Sequence, residues 1–394
     1  MQSDRSLNLL FAVSATLMLG YASIFTLLAA VRTEFGVGES AIGVLGASGF
    51  LAGFLGQIGL ARYVDRGHTR LMLAIGLLSF TLGLLAMALA PTFELLIAGR
   101  LVMGLGGGCI SPAIRRFAVA RDPERAGESL GRLAAFDLGG FLAAPILASL
   151  IYESFGLSAA LASPLAIMVL WVPSLFRLEV PPPREQIDRR PLRLLIQRPA
   201  VQASMLAGVG FYAAIGCFEA SWAVFMADCG ASQMFIGFSL TLFTVPTMLI
   251  APRAGTLAQR IGPMRVIAGG MGVAIPCMAL YGVSDSLVFI MLILAIHSVA
   301  DGFTMPANQV AIAQASPPEH LAAGQGLFGA TGLAVSALTA VLGGVIYESF
   351  GALVLYGGTG MFMALCLAAA WLRGQELRGV PPIRSRAPFP ARSA

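Results

Sequence analysis

Four charged residues lie inside long apolar stretches of this 394-residue chain, where a charge is costly: Arg100, Asp137, Glu219 and Asp301. On insertion scales, one such side chain at the centre of a membrane-spanning helix costs about 2.5–3.5 kcal/mol. His297 precedes Asp301 by four residues and therefore shares its helix face. Carboxyl and imidazole groups can take up and release protons, and an arginine can balance or bind a negative charge. These five residues are therefore candidates for proton coupling or substrate binding.

The stretches that carry these residues have the composition of membrane helices. Apolar residues make up 57% of the chain and charged residues 11%, against roughly 45–50% and about 25% in a soluble domain. Runs of about 18–25 apolar residues match a hydrocarbon core of roughly 30 Å, and backbone groups in lipid must be satisfied within a helix. We predict twelve spans: 8–31, 41–61, 71–90, 93–114, 132–152, 157–176, 203–226, 234–253, 266–283, 287–309, 325–347 and 353–372.

The distribution of arginine predicts the orientation of these spans. All 25 basic residues are arginines, and they cluster after the even-numbered spans, in the middle of the chain and in the C-terminal tail. The positive-inside rule then places both termini in the cytoplasm. The basic character reflects this topology, so we expect no nucleic-acid partner. A composition rich in Arg, Ala and Gly and without Lys favours a bacterial source, and hence the cytoplasmic (inner) membrane.

An internal repeat divides the chain into two units. The hexapeptide IYESFG occurs at 151–156 and at 346–351, a separation of 346 − 151 = 195 residues. Ile42-Gly43 and Ile236-Gly237 match at an offset of 236 − 42 = 194. We therefore predict six-helix units at 1–178 and 201–374, a cytoplasmic linker at 179–200 and a basic cytoplasmic tail at 375–394. The composition of the linker favours a plain tether, and a short interfacial helix near 192–196 is the alternative. Because six is even, the two units have the same orientation.

Two loops carry related charged motifs. The loop after span 2 reads ARYVDRGHTR, with Asp65, Arg66 and Arg70, and the loop after span 8 reads GTLAQRIGPMR, with Gly255, Arg260 and Gly262. Both resemble the Gly-x-Leu-Ala-Asp-Arg-x-Gly-Arg-Arg signature of the major facilitator superfamily. The resemblance implies a cytoplasmic gate in which Asp65 caps a helix of the other unit. The alternative is a charge cluster that only fixes the topology.

Spans 4 and 5 carry two further motifs of glycine and proline. Span 4 reads GRLVMGLGGGCISP and is similar to the pattern Arg-x-x-x-Gly-x-Gly-x-Gly of the same family, through Arg100, Gly104, Gly106 and Gly108. Span 5 reads GGFLAAPILAS and resembles the antiporter motif of the family through Gly140 and Pro145. The resemblance implies an all-α membrane protein in which twelve transmembrane helices form two parallel six-helix repeats around a central cavity. It also implies a transporter and not an enzyme.

Depth in the membrane relates the candidate charges to one another. At 1.5 Å per residue, Arg100 and Glu219 both lie roughly 10 Å below the outer surface and could meet across the cavity, whereas Asp137 lies too deep to contact Arg100. Tyr212 and Trp222 would add aromatic cavity surface beside Glu219, which suits a lipophilic cation. The alternative for Arg100 and Glu219 is a purely structural bridge. For His297 and Asp301, a proton relay or substrate contact competes with a helix-packing hydrogen bond.

These features predict a secondary active transporter that exports a small, lipophilic molecule in exchange for protons by alternating access. The alternative is a metabolite exporter or proton symporter of the sugar or amino-acid type. A non-transporting membrane sensor or membrane enzyme has little support, because the loops are short and contain no nucleophile–base pair or phosphate-binding glycine loop. We expect a monomer whose partners are the lipid bilayer, the substrate and protons. We expect no cofactor and no metal.

Overall fold

A computed structural model describes residues 2–65, 68–121, 126–175, 191–317 and 320–379. Nearly all of this part is helical, and ten of its helices are long and apolar enough to cross a membrane. The first unit contains α1 (Gln2–Thr26), α2 (Leu28–Phe35), α3 (Glu39–Asp65), α4 (Thr69–Ala88), α5 (Phe93–Arg121) and α6 (Ala126–Leu175). A short α7 (Pro191–Ile196) precedes the second unit: α8 (Pro199–Asp228), α9 (Gln233–Ile261), α10 (Pro263–Tyr281), α11 (Leu287–Ala315) and α12 (Leu321–Arg373).

Two of the ten helices are each two spans joined at a glycine. The 50-residue α6 breaks at Gly156, with φ 82°, and the 53-residue α12 breaks at Gly351, with φ 76°. A side chain rarely adopts such a positive φ, so only glycine ends the helix here without strain. Both glycines are the last residue of an IYESFG copy. The remaining eight long helices and these two pairs give the expected twelve spans and confirm the twelve-helix fold.

Packing follows the same repeat in both units. In the first unit α1 packs on α6 and α4 packs on α5, while in the second unit α8 packs on α12 and α10 packs on α11. The units meet along two seams, α3 against α12 and α6 against α9. These pairs are equivalent by the repeat, so the two units are related by a pseudo-two-fold axis along the helices, as in transporters with parallel repeats.

The units are tied together at the end of the bundle opposite the chain termini, called the distal end below. Arg32 Nη2 lies 2.6 Å from Asp228 Oδ1, and Gln233 Nε2 donates to the carbonyl oxygen of Thr26 at 2.9 Å. The hydrogen bond to Asp228 raises the pKa of the Arg32 guanidinium above its usual value, so this arginine stays charged. Among the described residues, the hydrogen bonds between units run from mid-helix to this end, which is therefore closed.

Candidate functional site

Arg100 and Glu219 form an ion pair between the two units. Arg100 Nη2 lies 2.9 Å from Glu219 Oε1, in the distal third of both α5 and α8. The Arg100 side chain is only 3% exposed, whereas Glu219 retains 12%. The pair therefore balances two costly charges, and the carboxylate is the more exposed partner. The contact expected from their depth is present.

The Arg100 guanidinium rests on glycine and on an aromatic ring. A Cβ atom at Gly49 of α3 would lie 2.5 Å from Arg100 Nε, so the absence of a side chain makes room for the guanidinium. Its central carbon lies 5.3 Å from the ring centre of Tyr21 in α1, a cation–π distance. Arg100 Nε and Nη1 are buried without a hydrogen-bond partner among the described residues. Sequence reasoning missed Gly49, because one glycine in an apolar helix carries no distinguishing signal.

The glycines of the span 4 motif bring α5 close to its neighbours on different faces. Gly104 lies against the backbone of Gly49 in α3, and Gly106 lies against the backbone of α4 at Gly76 and Phe80. Gly108 approaches α3 one turn further on. Close backbone approach is the usual role of small residues in membrane helices. These glycines therefore fix the position of α5, and with it that of Arg100.

The span 5 motif makes contacts both within and between units. Gly140 lies against the backbone of Ala15 in α1. The carbonyl oxygen of Pro145 lies 2.6 Å from where a Cβ of Gly237 in α9 would be. Pro145 therefore belongs to a seam between units, which is a contact that would have to change if the units moved apart.

The two aromatic residues predicted for the cavity differ in position. Tyr212 remains partly exposed and packs on Phe328 of α12 with ring centres 5.6 Å apart. Trp222 is fully buried, and its indole nitrogen donates to Ser239 Oγ at 3.0 Å. The prediction that Trp222 lines the cavity is therefore wrong in this structure. Its indole N–H needs a buried acceptor, and Ser239 inside the second unit provides one.

Asp137 pairs with Ser14 and not with Arg100. Ser14 Oγ in α1 donates to Asp137 Oδ1 in α6 at 2.5 Å. Both residues belong to the first unit. This carboxylate and the Arg100–Glu219 pair are separate polar groups, in agreement with the depth estimate.

His297 and Asp301 lie within the second unit. His297 Nε2 is 3.6 Å from Asp301 Oδ1, and His297 Nδ1 is 3.1 Å from the hydroxyl of Tyr281 in α10. His297 is fully buried, with the rings of Phe218 and Phe243 packed on it, whereas Asp301 is 13% exposed. The described contacts of His297 thus join α8, α9, α10 and α11, and they fit a helix-packing role more closely than a substrate contact.

The predicted cytoplasmic gate is only partly described. The side chain of Asp65 and the whole of Arg66 lie outside the described residues, and Arg70 is exposed. In the second copy Arg260 is exposed, and Gly262 ends α9 with φ 97° against the backbone of Leu377 and Arg378. At Gly255 an added Cβ would lie 4.0 Å from Pro306 of α11, its nearest neighbour among the described residues.

The sequence model of the Major Facilitator Superfamily matches this chain twice, at residues 10–226 and 204–393. Together the two matches cover nearly the whole chain. The chain belongs to the major facilitator superfamily. As an integral membrane protein of that superfamily, it places its long apolar helices in contact with lipid.

Curated relatives of this superfamily member are distant. Multidrug resistance protein MdtG of Dickeya zeae (strain Ech586) is 23% identical over 258 residues, which covers 63% of this chain and 63% of that protein. MdtG of Enterobacter lignolyticus (strain SCF1) is 24% identical over 255 residues, covering 62% and 61%. The chain thus spans less than two thirds of the length of these relatives.

Solved superfamily structures confirm the fold. A bacterial homolog of the human lysosomal transporter Spinster, in an inward-facing and unoccupied conformation, has a TM-score of 0.77 at 13% identity and covers 95% of this chain and 97% of its own. The nucleoside transporter NupG has a TM-score of 0.78 at 15% identity and covers 93% of this chain and 99% of its own.

Proposed function

We propose that this superfamily member is a proton-coupled exporter of small lipophilic molecules in the bacterial inner membrane, with both termini in the cytoplasm. The observation that carries the proposal is the ion pair of Arg100 and Glu219 between the two units. In this scheme Glu219 carries the proton, Arg100 is its counter-charge, and the units rock around this pair. The curated relatives are named multidrug resistance proteins, which supports drugs as the class of substrate.

The ion pair links protonation to conformation. When Glu219 is ionised, its attraction to Arg100 holds α8 against α5, because both charges are largely removed from water. A proton on Glu219 removes that attraction, so the two units can separate at this level. The substrate and the proton then compete for the site at this ion pair. Alternating access therefore moves them across the membrane in opposite directions.

The other titratable residues have supporting roles in this scheme. Asp301, which keeps partial exposure, is the candidate for a second proton site in the second unit, and His297 Nε2 lies 3.6 Å from its carboxylate. Asp137 with Ser14 is a separate polar site in the first unit. Asp65 with Arg66 and Arg70 would form the gate at the cytoplasmic end when that end closes.

A second candidate function is transport of a neutral or anionic metabolite. It is favoured by the two nitrogens of Arg100, Nε and Nη1, that are buried without a partner among the described residues. A buried N–H without an acceptor costs about 1–3 kcal/mol, which a carbonyl or carboxylate oxygen of a substrate would recover. In this case Arg100 contacts the substrate, and protonation of Glu219 releases Arg100 from the ion pair.

Inside-out membrane vesicles test the proposal. We expect an acid-inside gradient to drive accumulation of a fluorescent lipophilic cation, and we expect an uncoupler or Glu219→Gln to abolish it. Asp285→Asn is the matched control, because Asp285 is an exposed acidic residue in the connection before α11. That variant should accumulate the cation like the wild type.

The vesicle assay also separates the two candidates. If folded, inserted wild type accumulates no cation, the export of cationic drugs is excluded. Proton-dependent uptake of neutral or anionic metabolites that is lost in Arg100→Ala would then support the second candidate.

A further inference from the structure

The two glutamates of the repeated hexapeptide make the same contact in opposite directions. Glu153 Oε1, near the end of span 5, accepts from the backbone nitrogen of Met234 at 3.1 Å. Glu348 Oε2, near the end of span 11, accepts from the backbone nitrogen of Ser40 at 2.7 Å. Each acceptor belongs to one unit and each donor to the other.

The donors occupy the same place in their helices. Met234 is the second residue of α9, and Ser40 is the second residue of α3. The first N–H groups of a helix have no partner within it and carry partial positive charge. Each glutamate therefore satisfies one such group and places a negative charge where the helix dipole favours it. The offsets, 348 − 153 = 195 and 234 − 40 = 194, are those of the sequence repeat.

Glycines allow the backbones to meet directly below each glutamate. A Cβ at Gly43 in α3 would lie 2.6 Å from the carbonyl oxygen of Ala340 in α12. At the equivalent place a Cβ at Gly237 in α9 would lie 2.6 Å from the carbonyl oxygen of Pro145 in α6. These carbonyls are also one repeat apart, since 340 − 145 = 195. Both seams thus close in the same way, with a carboxylate above and backbone contact below.

We infer that Glu153 and Glu348 are the paired gate residues of the distal end, which cap the helices of the opposite unit while this end is closed and release them when it opens. The inference rests on the proposed alternating-access transport. The inference also explains the IYESFG repeat. The glycine ends the helix at residues 156 and 351, so the glutamate lies on the last turn of that helix. Gly43 and Gly237 position the capped helices.

Distance measurement between the two units tests this gate. Spin labels at Leu89 and Val288, both exposed at the distal end of different units, report its opening. Cys229, which alone of the five cysteines is not buried, is replaced by serine first. We expect the wild type to populate mainly the short distance. Glu153→Ala and Glu348→Ala should each raise the open-to-closed ratio by roughly threefold, and the double variant by roughly tenfold, as independent charge–dipole contacts add.

Two further variants make the test specific. Glu153→Gln keeps an acceptor oxygen but loses the charge, so we expect a smaller shift than for alanine. Glu34→Ala removes an exposed acidic residue at the same end and should leave the distances unchanged. Unaltered distances in both Glu153→Ala and Glu348→Ala would overturn the gate, whatever the transport assay shows. If the variants shift the distances while the wild type transports no substrate, the gate stands and the proposed function is overturned.

Discussion

At the scale of residues, the Arg100–Glu219 pair depends on the absence of a side chain at Gly49. Gly49 leaves room for the Arg100 guanidinium, because an added Cβ would lie 2.5 Å from Nε. We predict that Gly49→Ala displaces the guanidinium from Glu219 and abolishes proton-driven transport. Its cost in the free energy of unfolding should be about 1–3 kcal/mol, as for other substitutions that overfill a packed site.

Gly59→Ala is the matched control for this substitution, because Gly59 lies in the same helix and an added Cβ would have no described atom within 4 Å. It should retain transport and thermal stability. Transport in vesicles and thermal unfolding in detergent measure both effects. A fully active Gly49→Ala protein would contradict the role assigned to the position of Arg100.

At the scale of helices, the breaks at residues 156 and 351 require glycine most clearly, because the backbone there has a positive φ. Among the described residues, no atom lies within 4 Å of a Cβ added to either glycine, so the positive φ is the cost that alanine would incur. We predict that Gly156→Ala and Gly351→Ala each destabilise the fold by about 1–3 kcal/mol. Gly357→Ala, in the following span and also without neighbours, should be neutral. Unfolding midpoints for the three variants test this, and equal midpoints would contradict it.

The sequence predicted the helices better than their side-chain environments. Apolar length and the arginine pattern identified spans, and depth along α5 and α8 brought Arg100 and Glu219 together correctly, because both depend only on distance along a helix. Trp222 was misplaced because the direction of a side chain around a helix depends on partners such as Ser239, which sequence cannot identify. Glu153 and Glu348 were visible as a repeat, but their acceptor role requires knowing which helix ends face them.

At the scale of the whole molecule, the proposed alternating access makes this structure one of two states. The distal end is closed by the two seams and by Arg32 with Asp228, while the Arg100–Glu219 pair sits below. A proton on Glu219 should weaken the contact between units at this level, which connects the site to the movement of both units. The central claim is therefore that the protonation of Glu219 drives coupled transport.

Proteoliposomes containing purified protein test that claim most directly. A fluorescent lipophilic cation would be followed in two modes, exchange without a gradient and accumulation against a concentration difference driven by a proton gradient. We predict that Glu219→Gln, a permanently neutral side chain of similar shape, retains exchange and loses accumulation, whereas the wild type shows both. Proton-driven accumulation in Glu219→Gln at the wild-type level would contradict the account.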